Sequence, residues 1–295
     1  MKTIEKCSSA MVSWVEFLKL LTESKEILLR LRTRGELRVV DKKEGQIHFF
    51  GDLHGDEIGV QKLREIVSKM DEDETICLGS LGDIVAGGGK FQLEALCLFL
   101  SAIVVHPNRT FVCKGNCEVD RMILAAEGFP LEVYERWGQE ALSGCVEQVV
   151  EVLDLLPTWL SFPHMNLLVV HGGPIRPVES LESLELLIPL LDQWGDYDEV
   201  KTWVHGTPVG PRGVDYSRTF GANRVRYVLE KTCHRVLLRG HQSKLLKRVE
   251  CGVVIHCDSS MATLHTCHKA PSRHLLVADM GVKIDSFDES NFVEI

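Results

Sequence analysis

A glycine-flanked segment at residues 51–56 contains the first side chains whose types and spacing suit metal binding. Asp52 and His54 lie two positions apart, directly after an apolar run at residues 47–50. Such a run predicts a buried strand, and side chains at the carboxyl ends of strands face the crevice where open α/β sheets bind ligands. A carboxylate and an imidazole together are ligands that suit zinc, manganese or iron.

The same arrangement recurs at four further places along the chain. In each, a short apolar run is followed by a polar residue beside a glycine, which allows the backbone to turn sharply close to a ligand. These polar residues are Asp83, Asn116, His171 and His241. All six side chains offer oxygen or nitrogen and none is a thiolate, so the sequence predicts two divalent metal ions, either Mn, Fe or Zn.

The elements that would position these residues alternate between helices and strands. Apolar residues at helical spacing predict helices over residues 11–32 (one helix or two), 60–69, 91–104, 118–160, 181–191 and 223–231. Late strands are predicted at residues 236–238, 252–256, 274–278 and 282–284. The alternation favours an α/β fold, with an N-terminal helical segment at residues 1–35 packed on a core domain at residues 36–295.

Composition narrows the classes of partner and compartment. The 295 residues are 45% hydrophobic and 25% charged, and the formal net charge is −9. An acidic balance argues against nucleic acid, which requires a basic face. No apolar run has the length of a membrane span, and no secretory signal is apparent. Ten scattered cysteines then favour free thiols in a reducing, cytoplasmic compartment.

Taken together, the motifs resemble those of the phosphoprotein-phosphatase (PPP) family of serine/threonine phosphatases, within the calcineurin-like metallophosphoesterases. The chain has GDLHG, GDIVAGG, GNCE, HGG and RGH in the family's order and at similar spacing. The resemblance covers roughly residues 45–285. It implies a four-layer αββα sandwich of two sheets with helices outside.

The resemblance also implies roles for individual residues. One metal would be held by Asp52, His54 and His241, the second by Asn116 and His171, with Asp83 bridging them. The implied chemistry is two-metal hydrolysis, in which a bridging hydroxide attacks phosphorus in line. Arg212 matches an arginine that clamps phosphate. The substrate would be a phosphorylated protein or a small phosphoester.

Three positions depart from the family pattern. Cys117 stands where the family has the histidine that is its general acid, Ala86 where it has the aspartate that orients that histidine, and Gly87 where it has a phosphate-binding arginine. Cys117 is interpreted either as a reactive thiol, with its pKa lowered by nearby metals, or as a small apolar replacement. The metal ligands are therefore expected to be complete while the proton-transfer residues are lost.

Three functions remain open at this point. The chain is an active phosphomonoesterase of the protein-phosphatase type, a metal-binding pseudophosphatase that recruits partners, or a hydrolase of phosphoanhydrides such as dinucleoside polyphosphates. The last is considered because Ala86 resembles the GDLVARG motif of the bacterial symmetrical dinucleoside polyphosphate hydrolases. A separate structural zinc site is a further alternative, for the cluster His256, Cys257, His265, Cys267 and His268.

Arg212 gives a first test. If it clamps phosphate, we expect Arg212→Ala to weaken kcat/KM for an aryl phosphate by roughly tenfold to a hundredfold, the effect of losing a charge-assisted hydrogen bond of about 1.5–3 kcal/mol. Metal content, measured by elemental analysis, should stay unchanged. Kinetics equal to those of the natural protein would exclude Arg212 from the site.

Overall fold

A computed structural model describes residues 12–31, 36–119, 121–126, 128–174, 180–182, 196–197, 219–241, 246 and 251–295. Arg212 lies outside the described residues, as does nearly all of the helix predicted over residues 181–191. Each of the six predicted metal ligands lies within them.

Strands and helices alternate over residues 46–119, whereas helices follow one another over residues 116–153 and strands predominate after residue 235. The strands are β1 (Leu37–Val39), β2 (Gln46–Phe50), β3 (Ile76–Ser80), β4 (Thr110–Val112), β5 (Trp159–Phe162), β6 (Leu167–Val170), β7 (Asp196–Tyr197), β8 (Thr219–Phe220), β9 (Val236–Arg239), β10 (Val253–His256), β11 (Met261–Leu264), β12 (His274–Asp279) and β13 (Phe292–Glu294). The helices are α1 (Trp14–Leu31), α2 (Glu57–Glu72), α3 (Gln92–Val105), α4 (Asn116–Val119), α5 (Arg121–Ala126), α6 (Phe129–Trp137), α7 (Gln139–Leu153) and α8 (Ala222–Lys231).

Two mixed sheets form the centre of the molecule. One has six strands in the order β1-β5-β6-β9-β11-β10, and the other has five in the order β13-β12-β2-β3-β4. Strands β2, β3 and β4 run parallel to one another, and so do β6, β9 and β11. Parallel strands place their carboxyl ends at one edge, so each sheet gathers several loops on one side.

Alternation along the strands explains why the sheets are covered on both faces. In β2, the fully buried Phe49 faces the other sheet and meets Phe162 edge-to-face, with ring centroids 5.5 Å apart. The next residue, Phe50, faces the opposite way and packs edge-to-face against Phe99 of α3 at 6.3 Å. On the far face of the six-stranded sheet, Val225 of α8 packs against that sheet. The result is the predicted αββα order of layers.

The N-terminal helix α1 packs against α3 and α7. Its apolar stripe includes Phe17, which is fully buried and lies 5.0 Å from the ring of Trp137. The helix is continuous through residues 22–26, where the sequence contains a capping-type signal. Burial of the stripe outweighs that local signal, as tertiary packing commonly does.

Three expectations about secondary structure were wrong. The region predicted as helical over residues 118–160 contains four helices and ends in β5, and glycines stand at the breaks: Gly128 and Gly138 precede α6 and α7 with φ of 91° and 82°. Strand β11 was not predicted. The segment at residues 282–284 is not a strand, because Val282 lies in a turn closed by its N–H donating to the Asp279 carbonyl oxygen.

Among the helices described, none combines the length and apolarity needed to cross a membrane.

The packing of α1 predicts that this helix contributes to the stability of the whole domain. We expect Phe17→Ala to lower the free energy of unfolding by about 3–5 kcal/mol, the usual cost of deleting a buried aromatic ring. Val15→Ala on the same helix is the control, because Val15 is 74% exposed and should change stability by less than about 0.5 kcal/mol. Urea denaturation followed by fluorescence measures both, and equal effects would show that α1 is not part of the cooperative unit.

Candidate metal centre

The six predicted ligands lie on five loops at one edge of the sandwich. The loops that follow β2, β3 and β4 supply Asp52, His54, Asp83 and Asn116 from the five-stranded sheet, and those that follow β6 and β9 supply His171 and His241 from the six-stranded sheet. The site is therefore built across both sheets, and its side chains meet only when the two sheets are packed together.

Asp83 lies at the centre of the group. Its Oδ2 is 3.5 Å from Nε2 of His54, and its Oδ1 is 3.5 Å from Nε2 of His171. Asp52 extends the group on one side, with Oδ2 3.9 Å from Nε2 of His54 and Oδ1 3.8 Å from Nδ1 of His171. A carboxylate between two imidazoles has the position that a bridging ligand requires.

Asn116 joins the two histidines of the six-stranded sheet. Its Oδ1 lies 3.0 Å from Nε2 of His171 and 2.8 Å from Nδ1 of His241. The resemblance implied that His241 belongs with Asp52 and His54. In the structure its ring lies beside Asn116, with its centroid 5.2 Å from that of His171, and its backbone N–H donates to Oδ1 of Asp52 at 3.0 Å.

The histidine rings are oriented by backbone carbonyl groups. Nδ1 of His171 donates to the Leu81 oxygen at 2.9 Å, and Nδ1 of His54 contacts the Val85 oxygen at 3.3 Å. This pattern leaves the Nε2 lone pairs directed at the carboxylates, and a second hydrogen bond of this kind is typical of histidines that bind metals.

Burial keeps these imidazoles neutral. It lowers the pKa of His54 to about 4, and burial with neighbouring His171 lowers the pKa of His241 to about 3. Burial and the adjacent Asp83 together raise the pKa of Asp52 well above its ordinary value. Burial opposes ionisation of Asp83 as well, but His171 and His54 beside it bring its pKa below the ordinary value. A neutral imidazole is the form that binds a metal, and a bound cation would favour the ionised form of Asp52.

The backbone is strained at the same residues. His54, Asp83 and His241 have φ of 50°, 53° and 73°, a left-handed conformation that is uncommon for residues other than glycine. Strain of this kind costs on the order of 1–3 kcal/mol per residue and concentrates at functional sites. Three of the six predicted ligands have this conformation, which indicates that these turns place the ligand side chains at a cost in stability.

Glu118 is a buried carboxylate that organises the site without belonging to the ligand set. Its side chain accepts hydrogen bonds from the N–H groups of Asp83 (2.7 Å), Ile84 (2.8 Å), Val85 (3.4 Å) and Gly115 (2.7 Å). Burial and neighbouring Asp83 raise its pKa, while these N–H groups favour the charged form. The loops after β3 and β4 are thereby joined.

The departures from the family pattern lie beside the same loop. Cys117 is 4% exposed, its N–H donates to Oδ1 of Asp83 at 3.0 Å, and its Sγ accepts from the Asn116 amide at 3.5 Å. Burial, with the nearby carboxylates of Asp83 and Glu118, raises the pKa of its thiol well above the ordinary value. The thiol nevertheless lies at the site, because the ligand atoms of His54, Asp83 and Cys117 are within 4.8 Å of one another.

His265, which the sequence suggested only for a separate zinc cluster, also lies at this site. The residue follows β11, is fully buried, and forms an isolated parallel bridge with Asp52 that brings its Nε2 to 3.1 Å from the Asp52 Oδ2. His265 therefore supports Asp52. The proposed zinc cluster is not assembled, since neither candidate metal-binding group among the described residues contains any of its five members. The sequence feature that could have identified His265 at this site is its position directly after an apolar run, the same feature that identified His54.

The donor set fits divalent cations. A group formed by Asp52, Asp83 and His171 has its ligand atoms within 4.8 Å of one another, and so does a second group that shares Asp83. The second group consists of His54, Asp83 and Cys117, so its donors are an imidazole, a carboxylate and a thiol, whereas the first has only carboxylates and an imidazole. Carboxylates and imidazoles suit manganese, iron or zinc.

Comparison with known proteins agrees with this geometry. Residues 45–244 match the family model for calcineurin-like phosphoesterases. The chain is 28% identical to the serine/threonine-protein phosphatase C23G10.1 of Caenorhabditis elegans over 209 residues, 68% of this chain and 43% of that protein. It is 26% identical to the serine/threonine-protein phosphatase 6 catalytic subunit of the same organism over 246 residues, 78% of this chain and 70% of that protein.

A solved structure supports the fold. It is a protein serine/threonine phosphatase from Saccharomyces cerevisiae with similarity to human phosphatase PP5, and it aligns with a TM-score of 0.70 at 17% identity, covering 96% of this chain and 89% of that chain. The predicted αββα architecture and the predicted resemblance to PPP phosphatases are confirmed. With its sandwich, its five strand-end loops and a family match over residues 45–244, the chain belongs to the calcineurin-like phosphoesterase family.

Proposed function

We propose that the protein is a metal-dependent phosphoester hydrolase. The observation that carries the proposal is the convergence of six donor side chains from both sheets on one buried space, three of them on strained backbone. We assign Asp52 and His54 to one cation, and Asn116, His171 and His241 to the other, with Asp83 shared. His241 goes to the second set because its ring lies 2.8 Å from the Asn116 oxygen.

Two bound divalent cations would supply an activated water and neutralise the phosphoryl oxygens. The chain's own residues prepare this chemistry. The carbonyl oxygens of Leu81 and Val85 fix the rings of His171 and His54, and Glu118 holds the two loops that present Asp83 and Asn116. Preorganised groups of this kind need no rearrangement during the reaction.

Among the residues that the structure describes, position 117 and its surroundings offer no side chain that takes the place of the family's general acid. The pKa of the Cys117 thiol is raised by burial, so the thiol is a much weaker proton donor than an imidazolium at neutral pH. Ala86 offers no carboxylate, and its N–H is used by Gln92, whose Oε1 accepts it at 2.7 Å. The proposed enzyme therefore favours substrates with good leaving groups: phosphotyrosine, aryl phosphates or phosphoanhydrides rather than phosphoserine.

Phosphoanhydride hydrolysis is the second candidate function. Ala86 favours it, since that residue resembles the dinucleoside polyphosphate hydrolases, and a phosphate leaving group needs little protonation. A pseudophosphatase is the alternative if the donors bind metal without turnover. Product analysis with a dinucleoside polyphosphate and with a phosphotyrosine peptide separates these three outcomes.

Metal binding is tested with the shared carboxylate. We expect about two metal ions per chain after reconstitution with manganese, and loss of at least one in Asp83→Asn, because an amide is a poor bridging ligand. Asp279→Asn is the control, because it makes the same chemical change far from the metal loops. Asp279 pairs with Gln46 at the start of β2, whereas Asp52 and His54 follow the end of that strand. This variant should keep both ions. Elemental analysis measures both variants. No metal in the natural protein would contradict the proposal.

The missing acid is tested with a series of phenyl and alkyl phosphates. We expect the rate to depend steeply on the pKa of the leaving group, because a positioned general acid contributes about 10²–10⁴-fold where the leaving group is basic. Cys117→His combined with Ala86→Asp should flatten that dependence, and each change alone should do less. The left-handed backbone at Ala86, φ 61°, tolerates aspartate better than most residues.

A shallow dependence in the natural protein, with efficient turnover of phosphoserine peptides, would show that another group supplies the proton. His205, which lies outside the described residues, would be the next residue to replace.

A further inference from the structure

A lysine outside the five motifs extends into the metal centre. Nζ of Lys269 lies 3.3 Å from Nε2 of His54. A Cβ atom built on Gly87 would come within 2.7 Å of that Nζ and would overlap the His54 ring. The ammonium group thus occupies the space directly in front of Gly87, where a side chain at that position would begin.

Gly87 itself cannot carry a cation in this conformation. Its φ is +77°, which strains any L side chain, and the overlap with His54 adds a steric barrier. The arginine that the family has at this position therefore has no room here. A positive charge beside His54 must therefore come from another part of the chain. Lys269, in the loop that follows β11, supplies such a charge.

The backbone around Lys269 is fixed to the first motif. The N–H of Thr266 donates to the Asp52 carbonyl oxygen at 3.1 Å, and the Thr266 hydroxyl accepts the Gly51 N–H at 2.9 Å. A tight turn follows, in which the Ala270 N–H donates to the Cys267 carbonyl oxygen at 3.1 Å. Lys269 lies within this turn, so its direction is set by contacts with the metal loop.

A second anchor holds the other end of the segment. Arg273 forms a two-pronged ion pair with Asp56, with N–O distances of 2.7 and 2.9 Å. Asp56 caps helix α2 by accepting the Gly59 N–H at 3.1 Å. Residues 266–273 are therefore tied to the GDLHG loop at both ends, and the lysine between the anchors is presented to the site by an ordered loop.

We propose that Lys269 binds a phosphoryl oxygen of the substrate and so supplies the positive charge that the family obtains from the arginine absent at Gly87. The inference rests on the proposed function. His54 Nε2 is a ligand atom, so a bound cation displaces the ammonium from it. The lysine stem is flexible, so the ammonium can move from the His54 ring to a phosphoryl oxygen bound nearby.

Orthophosphate binding tests this directly, because it needs no turnover. We expect Lys269→Met to weaken orthophosphate affinity of the manganese-loaded protein by roughly tenfold to a hundredfold, the usual effect of losing a charge-assisted hydrogen bond. Lys269→Arg should restore most of that affinity, since the charge returns. Isothermal titration calorimetry measures the affinity, and elemental analysis should find equal metal content in all variants.

Lys283→Met is the matched control. Lys283 is exposed and follows β12 at the end of the sandwich opposite the metal loops, so the same loss of charge there should leave orthophosphate affinity unchanged. Melting temperatures verify folding, and Lys269→Gln serves as a second neutral variant if the methionine variant does not fold. In steady-state kinetics the effect should lie in KM for an aryl phosphate more than in kcat.

The outcomes separate this inference from the hydrolase proposal. Turnover by the natural protein with unchanged orthophosphate affinity in Lys269→Met would overturn the role of the lysine alone. Increased metal affinity in that variant, with the same orthophosphate affinity, would show that Lys269 only competes for His54. Phosphate binding without turnover by the natural protein would overturn the hydrolase and leave the lysine's role standing. A natural protein that binds metal but no orthophosphate would overturn both.

Discussion

The metal centre depends on a buried carboxylate that is not one of its ligands. Glu118 receives N–H groups from the loops after β3 and β4, and a buried charge of this kind requires such donors. Because these bonds go to the backbone, they hold Asp83 and Asn116 in place whatever side chains occupy positions 86 and 117. The ligand geometry and the proton-transfer residues are therefore physically separable, which explains how one is present while the other is absent.

The residues at positions 86 and 87, which differ from the family pattern, fit one arrangement of the loop after β3. A glycine at position 87 with positive φ lets the loop approach the His54 ring, and the space in front of it is filled by Lys269. The backbone N–H of Ala86 donates a hydrogen bond to Gln92. The loop after β3 therefore has no room for an arginine at position 87 in this conformation.

Hydrophobic pattern predicted an α/β fold, and the resemblance of the motifs implied the order of the layers. The six donor residues were expected to lie together because strand ends converge whatever their exact register. The resemblance grouped His241 with Asp52 and His54, whereas the ring of His241 lies beside Asn116 and its backbone N–H donates to Asp52. Neither the pattern nor the motifs placed His265 and Lys269 at the site. Both follow β11, a strand absent from the prediction. His265 reaches the centre through a bridge to Asp52, a long-range pairing that local sequence does not encode, and Lys269 lies in the loop that follows it.

The division of the ligands between the two sheets gives the cations a mechanical role. His171 and His241 come from one sheet, whereas the other sheet supplies Asp52, His54, Asp83 and Asn116. Two bound metal ions would therefore cross-link the two sheets of the sandwich. Binding to the assembled sheets alone adds RT ln(1 + [M]/Kd) to the free energy of unfolding, about 2.7 kcal/mol at a hundredfold excess over Kd. Bound metal would thereby strengthen the association of the two sheets.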